Sequence, residues 1–175
     1  MDDISQITNL INLYAVAVDS RRYGLFEQIF TQDIQCDFGG GAGFSERDTF
    51  ISAFEQIHAP FSATQHMTSG HTIMVEGEDA WCFSYVHGRF RRELDNAQAL
   101  FESTGWYDDV LIKGDEGWRI QRRISRMVSY AGDARVMQAM PGVDTNFVLA
   151  ALHEDGDAGA VAVLHQVGRT KELGS

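Results

Sequence analysis

The apolar residues of this chain change period partway along it, and that change limits the fold more than any other feature. Ile4, Ile7, Leu10, Ile11, Tyr14, Ala17 and Val18 recur at helical spacing, which predicts a helix over residues 4–18 with one buried face. Asp19-Ser20-Arg21-Arg22 breaks the pattern. Leu25, Phe26, Ile29 and Phe30 mark a second short helix, and residues 34–38 a short strand. Ser45 with Asp48 three positions later resembles a capping box. Phe50, Ile51, Phe54 and Ile57 follow on one face, predicting a third helix that stops near Pro60.

Beyond that point the pattern is β-rich. Residues 67–75 lead into the turn Glu76-Gly77-Glu78-Asp79, and 80–92 continue as a long strand-like run. Residues 105–113 and 118–129 flank Gly114-Asp115-Glu116-Gly117, a strong hairpin signal. Helices followed by an antiparallel meander argue for an α+β fold with the sheet curling over the helices. Residues 133–175 are less regular: Met137 and Met140 precede Pro141-Gly142, 147–152 read as a helical turn or two, and 160–167 as helix or strand. The expected division is a domain over 1–132 and an extension over 133–175, serving as a lid, an oligomer contact or a partly disordered tail.

A chain of 175 residues, 44% hydrophobic with 11 Phe, 3 Trp and 5 Tyr, suits one domain with a core and a pocket inside it. The net charge of -11 argues against nucleic acid, whose phosphates need a clustered positive surface. Arg119, Arg122, Arg123 and Arg126 read as a solvated face balancing the acidic surface. The acidic start Met1-Asp2-Asp3-Ile4 and the lack of any run of ~20 apolar residues predict a cytoplasmic protein with no membrane association. Cys36 and Cys82 have no metal or redox spacing and are expected to be buried free thiols.

Three sets of residues are candidates for chemistry. Gly39-Gly40-Gly41-Ala42-Gly43 follows a strand, but Phe44 occupies the third glycine position of a dinucleotide loop and no parallel βαβ unit surrounds it, so a flexible turn is the better reading. His66, His71 and His87 invite a metal. His66 and His71 are an odd number apart, however, and face opposite sides of a regular strand unless Gly70 marks a bulge. Asp19 closes Tyr14-Ala-Val-Ala-Val-Asp19-Ser20, and His66 lies in Thr64-Gln65-His66-Met67. A carboxylate that holds an imidazole makes a base able to take a proton from carbon. From spacing alone, a structural histidine and a capping aspartate are the better reading of these two.

The helix-ending Tyr14-Ala-Val-Ala-Val-Asp19-Ser20-Arg21, then Leu25-Phe26 to Phe30-Thr31-Gln32-Asp33, Thr64-Gln65-His66-Met67, Gly105-Trp106-Tyr107-Asp108-Asp109 and Gly117-Trp118-Arg119-Ile120 together resemble the SnoaL-like family. This is a branch of the nuclear transport factor two-like superfamily that includes scytalone dehydratase, hexachlorocyclohexane dehydrochlorinase and bile-acid dehydratase. The resemblance covers roughly residues 4–130. It implies a cone: a strongly curved mixed, mostly antiparallel sheet wrapped around the N-terminal helices and enclosing a hydrophobic pocket. It also implies that Asp19 and His66 match the family's catalytic pair, and His87 a second pocket histidine, although an outward His87 stays open. Val18 stands where scytalone dehydratase has a tyrosine, which argues against scytalone itself as substrate.

The function so implied is a cofactor-independent lyase, of dehydratase or dehydrohalogenase type, acting on a small hydrophobic, cyclic substrate. An isomerase or cyclase using the same pair is the alternative, and a non-catalytic binding or partner subunit the rival from another class. Tyr14, Tyr23, Trp106, Tyr107, Arg126 and Tyr130 are the candidates to line or orient the substrate, and Trp118 reads as core. No metal is called for. A homodimer or homotrimer is expected, through the open face of the sheet or the tail.

Overall fold

Helix α1 (Asp3–Asp19) buries Ile7, Leu10, Ile11, Tyr14, Ala17 and Val18 along the stripe its periodicity predicts. The carboxylate of Asp2 caps its start by accepting the Ser5 N–H at 2.9 Å. Asp3 accepts hydrogen bonds from Lys113 Nζ at 2.7 Å and Trp118 Nε1 at 2.9 Å, tying the first turn to a distant hairpin. At the other end Arg21 turns left-handed, with φ of 57°, and the Arg22 N–H closes onto the Ala17 carbonyl. The chain therefore leaves the helix immediately after Asp19. The computed structural model describes residues 1–139 and 147–169.

A 3-10 turn (Tyr23–Leu25) and α2 (Phe26–Ile29) lead into β1 (Phe30–Asp37). Gly39, Gly40 and Gly41 all have positive φ and turn β1 back into β2 (Gly43–Phe44). The glycine run is a hairpin turn, and a strand follows it directly. Helix α3 (Arg47–His58) has Glu46 at its N-cap, so Ser45 lies one residue outside. The expected capping box of Ser45 and Asp48 does not form; Thr49 Oγ1 instead donates to the Glu46 carboxylate at 3.2 Å.

Four long strands follow: β3 (Ala63–Glu76), β4 (Asp79–Leu94), β5 (Ala97–Gly114) and β6 (Gly117–Gly132). The sheet order is β2-β1-β6-β5-β4-β3, with β1 parallel to β6 and every other pair antiparallel. The stretch between residues 92 and 105 is strand rather than loop. β4 and β5 join through Asp95-Asn96, both at positive φ, a two-residue turn that Asp and Asn tolerate.

The curved sheet has two faces with different work. Its inner face packs Cys36, Cys82, Tyr107, Leu111, Trp118 and Ile120 against the helices, in one core with Ile7, Tyr14, Phe26 and Phe50. Trp118 is buried there, as expected. The outer face carries Phe83 and Trp106 beneath Val161 and Val163 at the start of α5 (Ala162–Arg169). Asp108 points to the same side and caps that helix, accepting the N–H groups of Ala162 at 2.7 Å and Val163 at 3.3 Å.

Residues 147–151 are not the helical turn the sequence suggests. β1 pairs with β6 only as far as Ile124, which leaves the β6 edge open at Met127. Leu149 bridges to Met127 in parallel, and the Ala150 N–H takes the Met127 carbonyl at 2.8 Å. Helix α4 (Leu152–Asp157) begins only after that. Met140 and Pro141-Gly142 lie outside the described residues. Among the described residues no helix is long and apolar enough to cross a membrane.

Candidate functional site

Asp19 and His66 meet where the end of α1 crosses the start of β3. The His66 Nδ1 lies 2.7 Å from Asp19 Oδ1, and the backbone N–H of His66 donates to Asp19 Oδ2 at 2.7 Å. Thr64, two residues earlier and on the same strand face, donates its hydroxyl to Asp19 Oδ1 at 2.9 Å. Three donors thus hold one carboxylate in place. Burial pushes the Asp19 carboxyl up, but its bonds and attraction to His66, with the help of Thr64, outweigh that and hold it below its ordinary range. Because an ionised carboxylate only accepts, Nδ1 carries the proton and the lone pair of neutral His66 sits on Nε2.

The surroundings of His66 are aromatic. Phe90 meets it edge-on at 5.3 Å, and the His58 ring lies 6.5 Å away. His58 packs against Phe54, Phe61 and Tyr23 at 5.0, 5.9 and 6.0 Å. Phe61 and Phe90 belong to an apolar cluster with Phe101, Met127, Val136, Met137 and Phe147 that continues the wall outward. The pair is largely buried: the side chains of His66 and Asp19 are 9% and 24% exposed. Two surface clefts of about 270 and 250 Å³ lie elsewhere, and neither borders the pair.

The expected substrate-facing residues divide between the faces of the sheet. Tyr14 and Tyr107 point inward but are buried deep, with ring centroids 5.9 Å apart. Tyr23 is buried beside His58, and Tyr130 stands at the rim, stacked on Phe101 at 5.5 Å and against Phe147 at 5.1 Å. Trp106 lies on the outer face, stacked with Phe83 at 5.8 Å beneath the C-terminal segment, and so cannot line the space before His66. Arg126 pairs with Trp106 across the strands and alternates outward with it, its guanidinium reaching Asp37 Oδ2 at 2.7 Å. His87 alternates with Val86 and shares its face with Tyr85, on the opposite side from His66. It stays apart from the pair.

A bulge alters the parity of β3. The β3–β4 register shifts between Ser69 and Thr72, where Gly70 has φ of 61°. His71 is thereby returned to the inner face, its Nδ1 2.7 Å from Ser84 Oγ. Among the described residues no three His, Cys, Asp or Glu side chains are grouped to hold a metal ion.

The basic run is not a uniformly solvated face. Arg123 is fully buried and forms a bidentate pair with Asp109, both contacts at 2.7 Å. Its guanidinium lies 4.3 Å from the ring centres of both Tyr14 and Tyr107. Burial pushes the Asp109 carboxyl up, and the guanidinium, which stays charged, opposes it. Sequence reasoning also missed His58 and Thr64. Both left a signal: His58 follows Phe54 by four residues on one helix face, and Thr64 precedes His66 by two on one strand face.

Residues 1–124 match the family model of the SnoaL-like domain. The uncharacterized protein Rv2910c of Mycobacterium tuberculosis (strain ATCC 25618 / H37Rv) is 29% identical over 125 residues, which are 71% of this chain and 84% of the relative. Among solved structures, Kfla4162 from Kribbella flavida aligns with a TM-score of 0.72 at 20% identity, over 78% of this chain and 97% of that one. Hexachlorocyclohexane dehydrochlorinase LinA-type3 from Novosphingobium barchaimii LL02 aligns with a TM-score of 0.63 at 13% identity, over 83% and 92%. At such identities the structures speak for the fold alone. The family match is longer than half the chain and spans α1, β3 and most of the sheet: the protein belongs to the SnoaL-like domain family.

Proposed function

We propose that this protein is a cofactor-independent lyase of dehydratase or dehydrohalogenase type, in which Asp19 and His66 abstract a carbon-bound proton. The observation that carries the reading is the 2.7 Å contact between His66 Nδ1 and Asp19 Oδ1, reinforced by the bond from the His66 backbone to the second carboxylate oxygen. Asp19 fixes the tautomer and offsets the charge of the imidazolium that forms. Nε2 takes the proton, the C–H electrons become the new C=C bond, and the group on the neighbouring carbon leaves with its bonding pair. Hydroxide collects the proton from His66 as water; a halide leaves as the anion. In the halide case His66 then releases its proton to solvent; either way the neutral imidazole is restored and the alkene is the product.

The aromatic wall of Phe54, Phe61 and Phe90 supports a small hydrophobic, cyclic substrate. Buried free thiols at Cys36 and Cys82 suit a cytoplasmic enzyme. His66→Ala and Asp19→Asn are each expected to leave a folded protein with elimination activity reduced at least ~100-fold, the lower range for losing general acid–base help. Full activity in His66→Ala removes the proposal. Return of the proton to another carbon, seen as a product isomeric with the substrate, would make the enzyme an isomerase. Binding without turnover across hydroxy- and halo-substituted rings would make it a carrier.

A further inference from the structure

Two polar groups near His66 are unused by the elimination chemistry. Tyr23 is 4% exposed, and its hydroxyl is buried with no hydrogen-bond partner. A buried hydroxyl left unpaired is costly, so the Tyr23 O–H is a donor that gains by pairing with a bound molecule. His58, whose ring centroid is 6.0 Å from that of Tyr23 and 6.5 Å from that of His66, places Nδ1 2.9 Å from the Phe54 carbonyl. A carbonyl only accepts, so Nδ1 carries the hydrogen and the neutral ring presents Nε2 as an acceptor. Burial holds both groups in these roles: it pushes the Tyr23 phenol up, keeping its proton, and His58 down to about 4, keeping it uncharged.

We propose that Tyr23 and His58 form a specificity subsite for an oxygenated ring: Tyr23 donates its O–H to a carbonyl or other acceptor oxygen of the ligand, and His58 Nε2 accepts a ligand hydroxyl. The subsite rests on the dyad reading for where the reacting carbon lies, but its polarity is a separate property. Phe54 and Phe61 around His58 supply the apolar contact for the ring itself. A halogenated hydrocarbon brings no donor and only weak acceptors. It would occupy the space before Tyr23 and His58 while pairing neither, the arrangement by which polar sites reject apolar analogues. The substrate class that follows is a hydroxylated cyclic ketone or phenol-like compound, and the elimination is loss of water rather than of hydrogen halide.

Calorimetric titration of the full chain with 4-hydroxycyclohexanone and with chlorocyclohexane tests this without turnover. The wild type and His66→Ala are both expected to bind the hydroxyketone at least about 10-fold tighter than the chloride, the size expected for hydrogen bonds to buried groups. Tyr23→Phe removes one oxygen and no packing, so it is expected to fold with an equal or higher Tm and to lose most of that preference. Equal affinity for the two probes in the wild type, or an unchanged preference in Tyr23→Phe, overturns the subsite. The two readings fail separately. A preference that persists in a protein without elimination activity sinks the dyad and leaves the subsite. Elimination that depends on His66 but shows no preference for oxygen does the reverse.

Discussion

His58 has to fold uncharged. Its ring is packed among Phe54, Phe61 and Tyr23, and burial, chiefly, brings its pKa from an ordinary 6.5 to about 4, with His66 and Arg21 adding repulsion and Asp19 and the Phe54 carbonyl opposing it. Between pH 6.5 and 4 the unfolded chain therefore binds a proton that the folded one refuses. Stability rises with pH across that window and is lost on acidification, by about 3 kcal/mol once pH 4 is passed. Urea unfolding of the wild type and of His58→Phe at pH 7 and pH 4.5 measures it: the loss on acidification is expected to shrink in the variant, and equal losses would contradict it. Asp19 and His66 were legible as a pair because each sits at a break in a regular apolar pattern and in a motif with family precedent. His58 was not, since a histidine closing an amphipathic helix looks the same whether it faces water or a second imidazole.

Among the strands, the Asp109–Arg123 pair shows what pattern alone misses. Alternation from the inward Trp118 and Ile120 would turn Arg122 inward; the β5–β6 register shift between Val110 and Leu111 turns Arg123 inward instead, and only that register sets it opposite Asp109. Two charges with no exposed side-chain surface are held by two 2.7 Å contacts and by the rings of Tyr14 and Tyr107. Removing one partner leaves the other charged and buried, so Arg123→Met is expected to destabilise the fold by about 3–5 kcal/mol, read as a fall in the urea midpoint. Adding Asp109→Leu removes the orphaned charge, and the double variant is expected to be more stable than Arg123→Met alone. A double variant less stable than either single one would show that the pair is not the cause. The bulge at Gly70 is a similar case. Simple parity sent His71 to the opposite face from His66, and one residue of irregular backbone returned it.

At the level of the whole molecule, the helices-then-meander order and its two hairpin signals carried the architecture, while the C-terminal quarter had no repeating period to read. The structure gives the described part of that segment a definite seat. Val161 and Val163 cover Phe83 and Trp106, with Met74, Trp81, Ile124 and Leu152 around them, and Asp108 caps the helix that follows. Part of the sheet face expected to pair with a second copy is thus occupied by the chain itself. A chain ended after residue 150 would uncover Phe83 and Trp106 together and leave the buried Asp108 carboxylate without its two N–H donors. Exposed apolar area of this kind drives association. The shortened protein is expected to have a lower Tm and to self-associate with rising concentration, in light scattering, more than the full chain does. Its tryptophan emission is expected to shift to the red as Trp106 meets water, whereas Trp118 remains in the inner core. A shortened chain with unchanged Tm and unchanged mass would mean that the tail adds no stability and leaves the outer face free to pair.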